Sequence, residues 1–183
     1  AVVFGWEMPI LAVHILLINL ATDSLPAVAL GVDPASGNIM KHPPVKSGTL
    51  FEKGMVARIV LHGLFISAAA LAAYWIGMLV YENHDQSMTM TFIVLSVSQL
   101  SHALNQRSNT ESIFKRGQGH NKLLVWALLA SAAIVALVVF VPPLMQLFDL
   151  VYIEWTEWLI CIGLSLFPLV AVEITKAFIR LYQ

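Results

Sequence analysis

The chain has 183 residues, 58% of them apolar and 11% charged, with a mean hydropathy of +0.79 and a net charge of -1. A soluble domain is roughly 45 to 50% apolar and about 25% charged, so this is an integral membrane protein whose immediate partner is the lipid bilayer. No basic cluster is dense enough for a nucleic-acid partner, and the lone Cys161 excludes both an intrachain disulfide and a thiolate zinc site.

A spanning helix needs roughly 17 to 25 mostly apolar residues, and five segments qualify. The expected fold is therefore all-α, one membrane domain over residues 1–183, a bundle of five transmembrane helices with the first broken by proline. The first span covers about residues 9 to 30, PILAVHILLINLATDSLPAVAL, with Pro9 near the first helical position, where its missing N–H is harmless. A Pro-containing loop over about 31 to 56 leads to the second span, about 57 to 80, in which Gly63 and Ser67 have the small-xxx-small spacing that lets helices approach closely in lipid. The third span, about 88 to 105, is the most polar and ends in SVSQLSHALN, before a loop over about 106 to 122. The fourth, about 123 to 141, is almost uniformly apolar and stops at Pro142 and Pro143. The fifth runs from about 156 to 178, with Pro168 expected to kink it.

The loops predict the orientation. All ten Lys and Arg fall after the first span, between the third and fourth, or at the end of the fifth, whereas the opposite loops hold Glu82, Asp85, Asp149, Glu154 and Glu157 and no basic residue. By the positive-inside rule the basic side is cytoplasmic, so the N-terminal end lies outside and the C-terminus inside. Trp6, Tyr81, Tyr152, Trp155 and Trp158 gather at the outer ends, where an interfacial aromatic belt belongs. The opening AVVFGWEMPI has no initiator Met, basic n-region or cleavage pattern, and reads as a piece of a longer polypeptide.

Asp23 is the residue this pattern does not explain. A carboxylate near the centre of a membrane helix costs about 2.5 to 3.5 kcal/mol on insertion scales, so something must offset it. Asn19, Thr22 and Asp23 are spaced i, i+3, i+4, which predicts three side-chain oxygens on one helical face. Pro26 removes the hydrogen bond to the carbonyl of Thr22 and pushes that oxygen aside. Amide, hydroxyl, carboxylate and main-chain oxygen at one level suit a hard cation, and a bound ion would offset the cost of Asp23. The alternative is that Asp23 pairs with His14 or with a polar residue of another helix. Oxygen ligation leaves Ca2+, Mn2+, Na+ and protons open.

Other polar residues are weighed against ordinary packing. Gln99 shares a face with His102 and Gln106, and its neutral oxygen would ligate only weakly, so a cross-helix hydrogen bond is the simpler role. His102 reads as a hydrogen-bonded interior histidine, and Glu173 with Lys176 as a local i, i+3 ion pair.

The stretch NLATDSLPAVALGVDPASGNIMKHPP resembles the sixth membrane helix and following cytoplasmic loop of type-two P-type ATPases. That family includes the sarcoplasmic-reticulum and secretory-pathway calcium pumps. The shared positions are Asn19, Leu20, Thr22, Asp23, Pro26, Ala27 and Leu30, then Ile39, Met40, Pro43 and Pro44. The resemblance extends over nearly the whole chain as family helices six to ten, including the ALN that closes the third span and the spacing of Glu173 and Lys176.

The resemblance implies the membrane half of an ATP-driven transporter. Ca2+ is the implied ion, or Mn2+ as in the secretory-pathway branch, because the similar sodium/potassium and proton/potassium pumps carry an acidic residue at the place of Asn19, whereas calcium pumps have asparagine. Asn19, Thr22 and Asp23 become the implied metal ligands, and Gln99 stands where two-ion calcium pumps have a glutamate. The implied partners are the remaining helices and cytoplasmic domains of a parent ATPase, which would handle Mg2+ and ATP. The chain carries no phosphorylation motif and no catalytic residue, so by itself it is expected to be inactive. Short loops favour a bacterial plasma membrane. Two further readings are a stand-alone ion-coupled secondary transporter or channel module, and a non-transporting membrane anchor.

Overall fold

The computed structural model of the chain describes residues 7–33, 54–107 and 121–181, with side chains through 178. Helix α1 covers Ala12–Ile18 and passes through a π-helical turn, Asn19–Asp23, into α2, Ser24–Gly31. There follow α3, Met55–Tyr81, α4, His84–Asn105, α5, Lys122–Phe140, the short α6, Pro142–Leu147, and α7, Trp155–Leu181. Most of the two long loops expected at 31 to 56 and 106 to 122, including the IMKHPP stretch, lies outside the described residues, as does Trp6.

Four stretches are long and apolar enough to cross a membrane: Ala12–Gly31, Met55–Tyr81, Lys122–Phe140 and Trp155–Phe178. The fifth long helix, α4, has 22 residues, which at 1.5 Å each is about 33 Å and matches the hydrocarbon thickness. Its lower hydropathy follows from its place. Ser87 through Val94 are buried without a break, which makes α4 the interior helix, packed against α3 and α7. Leu64 and Leu79 of α3, Leu129 and Leu137 of α5, and Leu159 and Ile162 of α7 point outward instead. An interior helix meets protein rather than lipid and can carry hydroxyls if each finds a partner. Thr89, Thr91 and Ser96 donate to the carbonyls of Asp85, Ser87 and Phe92 at 2.7–2.8 Å.

Several local features differ from the sequence expectation. The first helix starts at Ala12, so Pro9 lies before it rather than at its first position. There the Leu11 N–H donates to His14 Nδ1 at 3.3 Å, leaving Nε2 as the donor to the Phe148 carbonyl. His14 therefore ties the first helix to the segment before α7 and does not pair with Asp23. Gly63 and Ser67 are exposed, and Gly63 has nothing within 4 Å of where a Cβ would stand. The close approach of α3 lies at Gly77, where a Cβ would meet the Ser87 Cα at 2.7 Å, on the face that also buries Ala69 and Ala73. The turn joining α3 to α4 is so short that it draws the two backbones together at Gly77, whereas Gly63 is at the far end of the hairpin. Pro168 sits within α7, which runs on through it.

Two sets of contacts mark the ends of the bundle. At one end the Tyr81 hydroxyl meets Thr156 Oγ1 at 3.3 Å, and Phe140 stacks on Trp158 at 5.3 Å. At the other, Lys176 Nζ donates to the Asn105 carbonyl at 2.8 Å, and Arg107 pairs with Asp33. The described basic residues in those contacts gather at this second end.

Candidate intramembrane cation site

Residues 19–23 open into a π-turn because the proline that follows cannot complete an α-helical ladder. The Ser24 N–H reaches back five residues to the Asn19 carbonyl, and Ser24 Oγ donates to the same oxygen at 2.8 Å. In that register the Ala21 carbonyl would pair with residue 26, a proline without an N–H. Ser131 Oγ of α5 donates to the Ala21 oxygen instead. Sequence reasoning identified Thr22 as the carbonyl that Pro26 frees, and the wider turn brings Ala21 into play as well. A single hydroxyl from a neighbouring span thus stabilises the irregular backbone, which at membrane depth is tolerated only where protein covers it or a cavity adjoins it.

The π-turn also separates the three side chains that the sequence sets on one face. A π-helix advances by a smaller angle per residue than an α-helix, so i+4 stays over i while i+3 falls further round the axis. Asn19 and Asp23 are both exposed, on the flank turned away from the other helices of this chain, whereas Thr22 is 1% exposed. Thr22 Oγ1 bonds to the Ile18 carbonyl at 2.7 Å and to Gln99 Oε1 of α4 at 3.0 Å. Gln99 is half-buried and continues a polar line in which Gln106 Nε2 meets His102 Nε2 at 2.9 Å. The four candidates therefore form two pairs. Thr22 and Gln99 meet inside the bundle, and Asn19 and Asp23 face outward from the same turn.

An amide and a carboxylate on the open flank, with a hydroxyl and a second amide behind them, fall short of the 6 to 8 oxygens that a Ca2+ ion takes. Among the described residues no group of three or more His, Cys, Asp or Glu could hold a metal ion. Such a flank can bind a hard cation only when further oxygens face it.

Three groups that the sequence left as loop residues or a local pair acquire partners in space. Arg107 Nε and Nη2 donate to the two oxygens of Asp33 at 3.2 and 3.1 Å. Asn121 Nδ2 donates to Asp33 Oδ1 at 2.8 Å and to the Ala29 carbonyl at 2.9 Å, while its Oδ1 caps α5 through the Leu124 N–H. Lys176 lies 3.4 Å from Glu173 Oε1 as expected, and also bonds the Asn105 carbonyl at the C-terminal end of α4, where a positive charge is favoured. The Ala29 and Asp33 partners of Asn121 lie 92 and 88 residues away along the chain, beyond the reach of any local pattern.

Comparison with known proteins agrees with this architecture. Residues 7–178 match the family model described as cation transporting ATPase, C-terminus. The chain is 36% identical to calcium-transporting ATPase 1 of Bacillus cereus, over 96% of this chain and 22% of that protein. It is 34% identical to the calcium-transporting ATPase of Bacillus subtilis, over 92% of this chain and 19% of that protein. With human calcium-transporting ATPase type 2C member 1 the identity is 28%, over 96% of this chain and 19% of that protein. The chain thus spans about a fifth of the length of these relatives.

Proposed function

The chain belongs to the family of C-terminal regions of cation-transporting ATPases, and from that premise we propose that it is the membrane half of a P-type pump that moves Ca2+. The relatives named as calcium-transporting support the ion, and the all-oxygen candidate ligands suit Mn2+ as a second cargo. One observation carries the site. Asp23 and Asn19 stand exposed on the outward flank of a proline-broken intramembrane turn, where, among the described residues, the hydroxyl of neighbouring Thr22 offsets only part of the cost of the Asp23 carboxylate. The missing oxygens come from the remaining helices of the parent, and its cytoplasmic domains bind ATP and Mg2+. Thr22 supplies a hydroxyl from behind, and Gln99 holds Thr22 rather than contributing strongly to the ion.

The end of the bundle that carries Arg107 and Lys176 faces the cytoplasm, with the N-terminal end outside, in a bacterial plasma membrane. The test is Asp23→Asn in the full-length pump. Ca2+-dependent phosphorylation by ATP is expected to disappear while phosphorylation by inorganic phosphate survives. Normal Ca2+ activation in that variant would refute the site.

A further inference from the structure

The flank of the first span opposite Asp23 is gripped at two levels. Near the π-turn, Ser131 Oγ of α5 holds the Ala21 carbonyl and Gln99 of α4 holds Thr22. Just past the end of α2, the Asp33 carboxylate accepts the Arg107 fork at 3.1 and 3.2 Å and Asn121 Nδ2 at 2.8 Å. Asn121 also donates to the Ala29 carbonyl at 2.9 Å and caps α5 with its own oxygen, so one amide joins two helix ends. The Asp33 and Arg107 side chains are each 19% exposed. A two-pronged pair is directional as well as attractive, and a largely buried pair is better at fixing geometry than at adding stability. Rotation of α2 about its axis would break the bonds at both levels.

We infer that Asp33, Arg107 and Asn121 are positioning residues for the cation site. They set the rotation of the proline-broken helix, and through it the direction in which Asn19 and Asp23 face the ion, without touching the ion. The inference rests on the reading of Asp23 as a ligand. The anchor and the site share one rigid element: α2 joins the π-turn directly, with eight residues from Ser24 to Gly31.

The experiment uses the full-length pump with Asp33→Asn, Arg107→Gln, the double variant, and Asp23→Asn as control. Each single anchor variant should raise the Ca2+ concentration for half-maximal phosphorylation by ATP by about tenfold, within the usual range of couplings between sites. The double variant should shift it no further than either single one, because the residues act as one unit. Phosphorylation by inorganic phosphate without Ca2+ should stay at the wild-type level, which a role in folding alone would not allow. An unchanged half-saturation, or a lower phosphoenzyme level with no shift, overturns the inference. Should Asp33→Asn fail to accumulate, Arg107→Lys, which keeps the charge and loses the fork, decides by the same shift. If Asp23→Asn leaves Ca2+ activation intact, the ligand reading itself fails. If Asp23→Asn abolishes activation and the anchor variants do nothing, only the anchor fails.

Discussion

Thr22 Oγ1 and Gln99 Oε1 lie 3.0 Å apart, joining the irregular turn of the first span to the interior helix α4. The glutamine oxygen faces a hydroxyl of the same turn that carries Asp23, and shares that hydroxyl's one proton with the Ile18 carbonyl. A neutral amide already committed to a hydrogen bond is a poor substitute for a carboxylate, which supplies most of the charge compensation in a divalent site. The parent pump is therefore expected to move one Ca2+ per ATP, with a Hill coefficient near 1 in Ca2+ activation. Gln99→Ala should cost about 0.5–1.5 kcal/mol in apparent Ca2+ affinity, the net worth of one hydrogen bond. Two ions occluded per phosphoenzyme would contradict this assignment.

Close packing of α3 on α4 is expected to depend on Gly77 and not on Gly63. A methyl group at Gly77 would meet the Ser87 Cα at 2.7 Å, and overpacking of this kind costs about 1–3 kcal/mol. Gly63→Ala meets nothing within 4 Å and should be neutral, or stabilising by up to about 1 kcal/mol through helix propensity. Thermal inactivation of the detergent-solubilised protein compares the two, and equal stability of Gly77→Ala and wild type would contradict the packing.

Lys176 is expected to matter through the end of α4 as much as through Glu173. Its Nζ bonds the Asn105 carbonyl at 2.8 Å and the Glu173 carboxylate at 3.4 Å, and the side chain is buried. Lys176→Met, which keeps the length, should lose about 1–3 kcal/mol by leaving those acceptors short of a donor. Adding Glu173→Gln should restore part of that loss, since the uncompensated carboxylate is gone. Additive losses in the double variant would mean that the two residues do not act as a pair.

Orientation can be read chemically. With Cys161, which is buried in α7, replaced by Ala, Lys46→Cys should react with a membrane-impermeant thiol reagent only from the cytoplasmic side. Labelling from outside would reverse the topology and the assignment of the basic end.

The helical, membrane-spanning class follows from local composition, because crossing a bilayer requires only a sufficient run of apolar residues and internal backbone hydrogen bonds. The anomaly at Asp23 and the break at Pro26 were equally legible, since carboxylate, proline and neighbouring oxygens lie within eight residues from Asn19 to Pro26. Rotation was not. Spans such as α5 are apolar on every side, so their sequence carries little contrast between a face against lipid and a face against protein. Which glycine meets a neighbouring helix, and whether Thr22 turns inward while Asp23 turns outward, depended on how α3, α4 and α5 pack. The same holds for Asp33, which is 74 residues from Arg107 and 88 from Asn121. Helical periodicity fixes which side chains share a face, whereas the packing of neighbouring helices fixes where that face points, and only the tertiary structure decides the second.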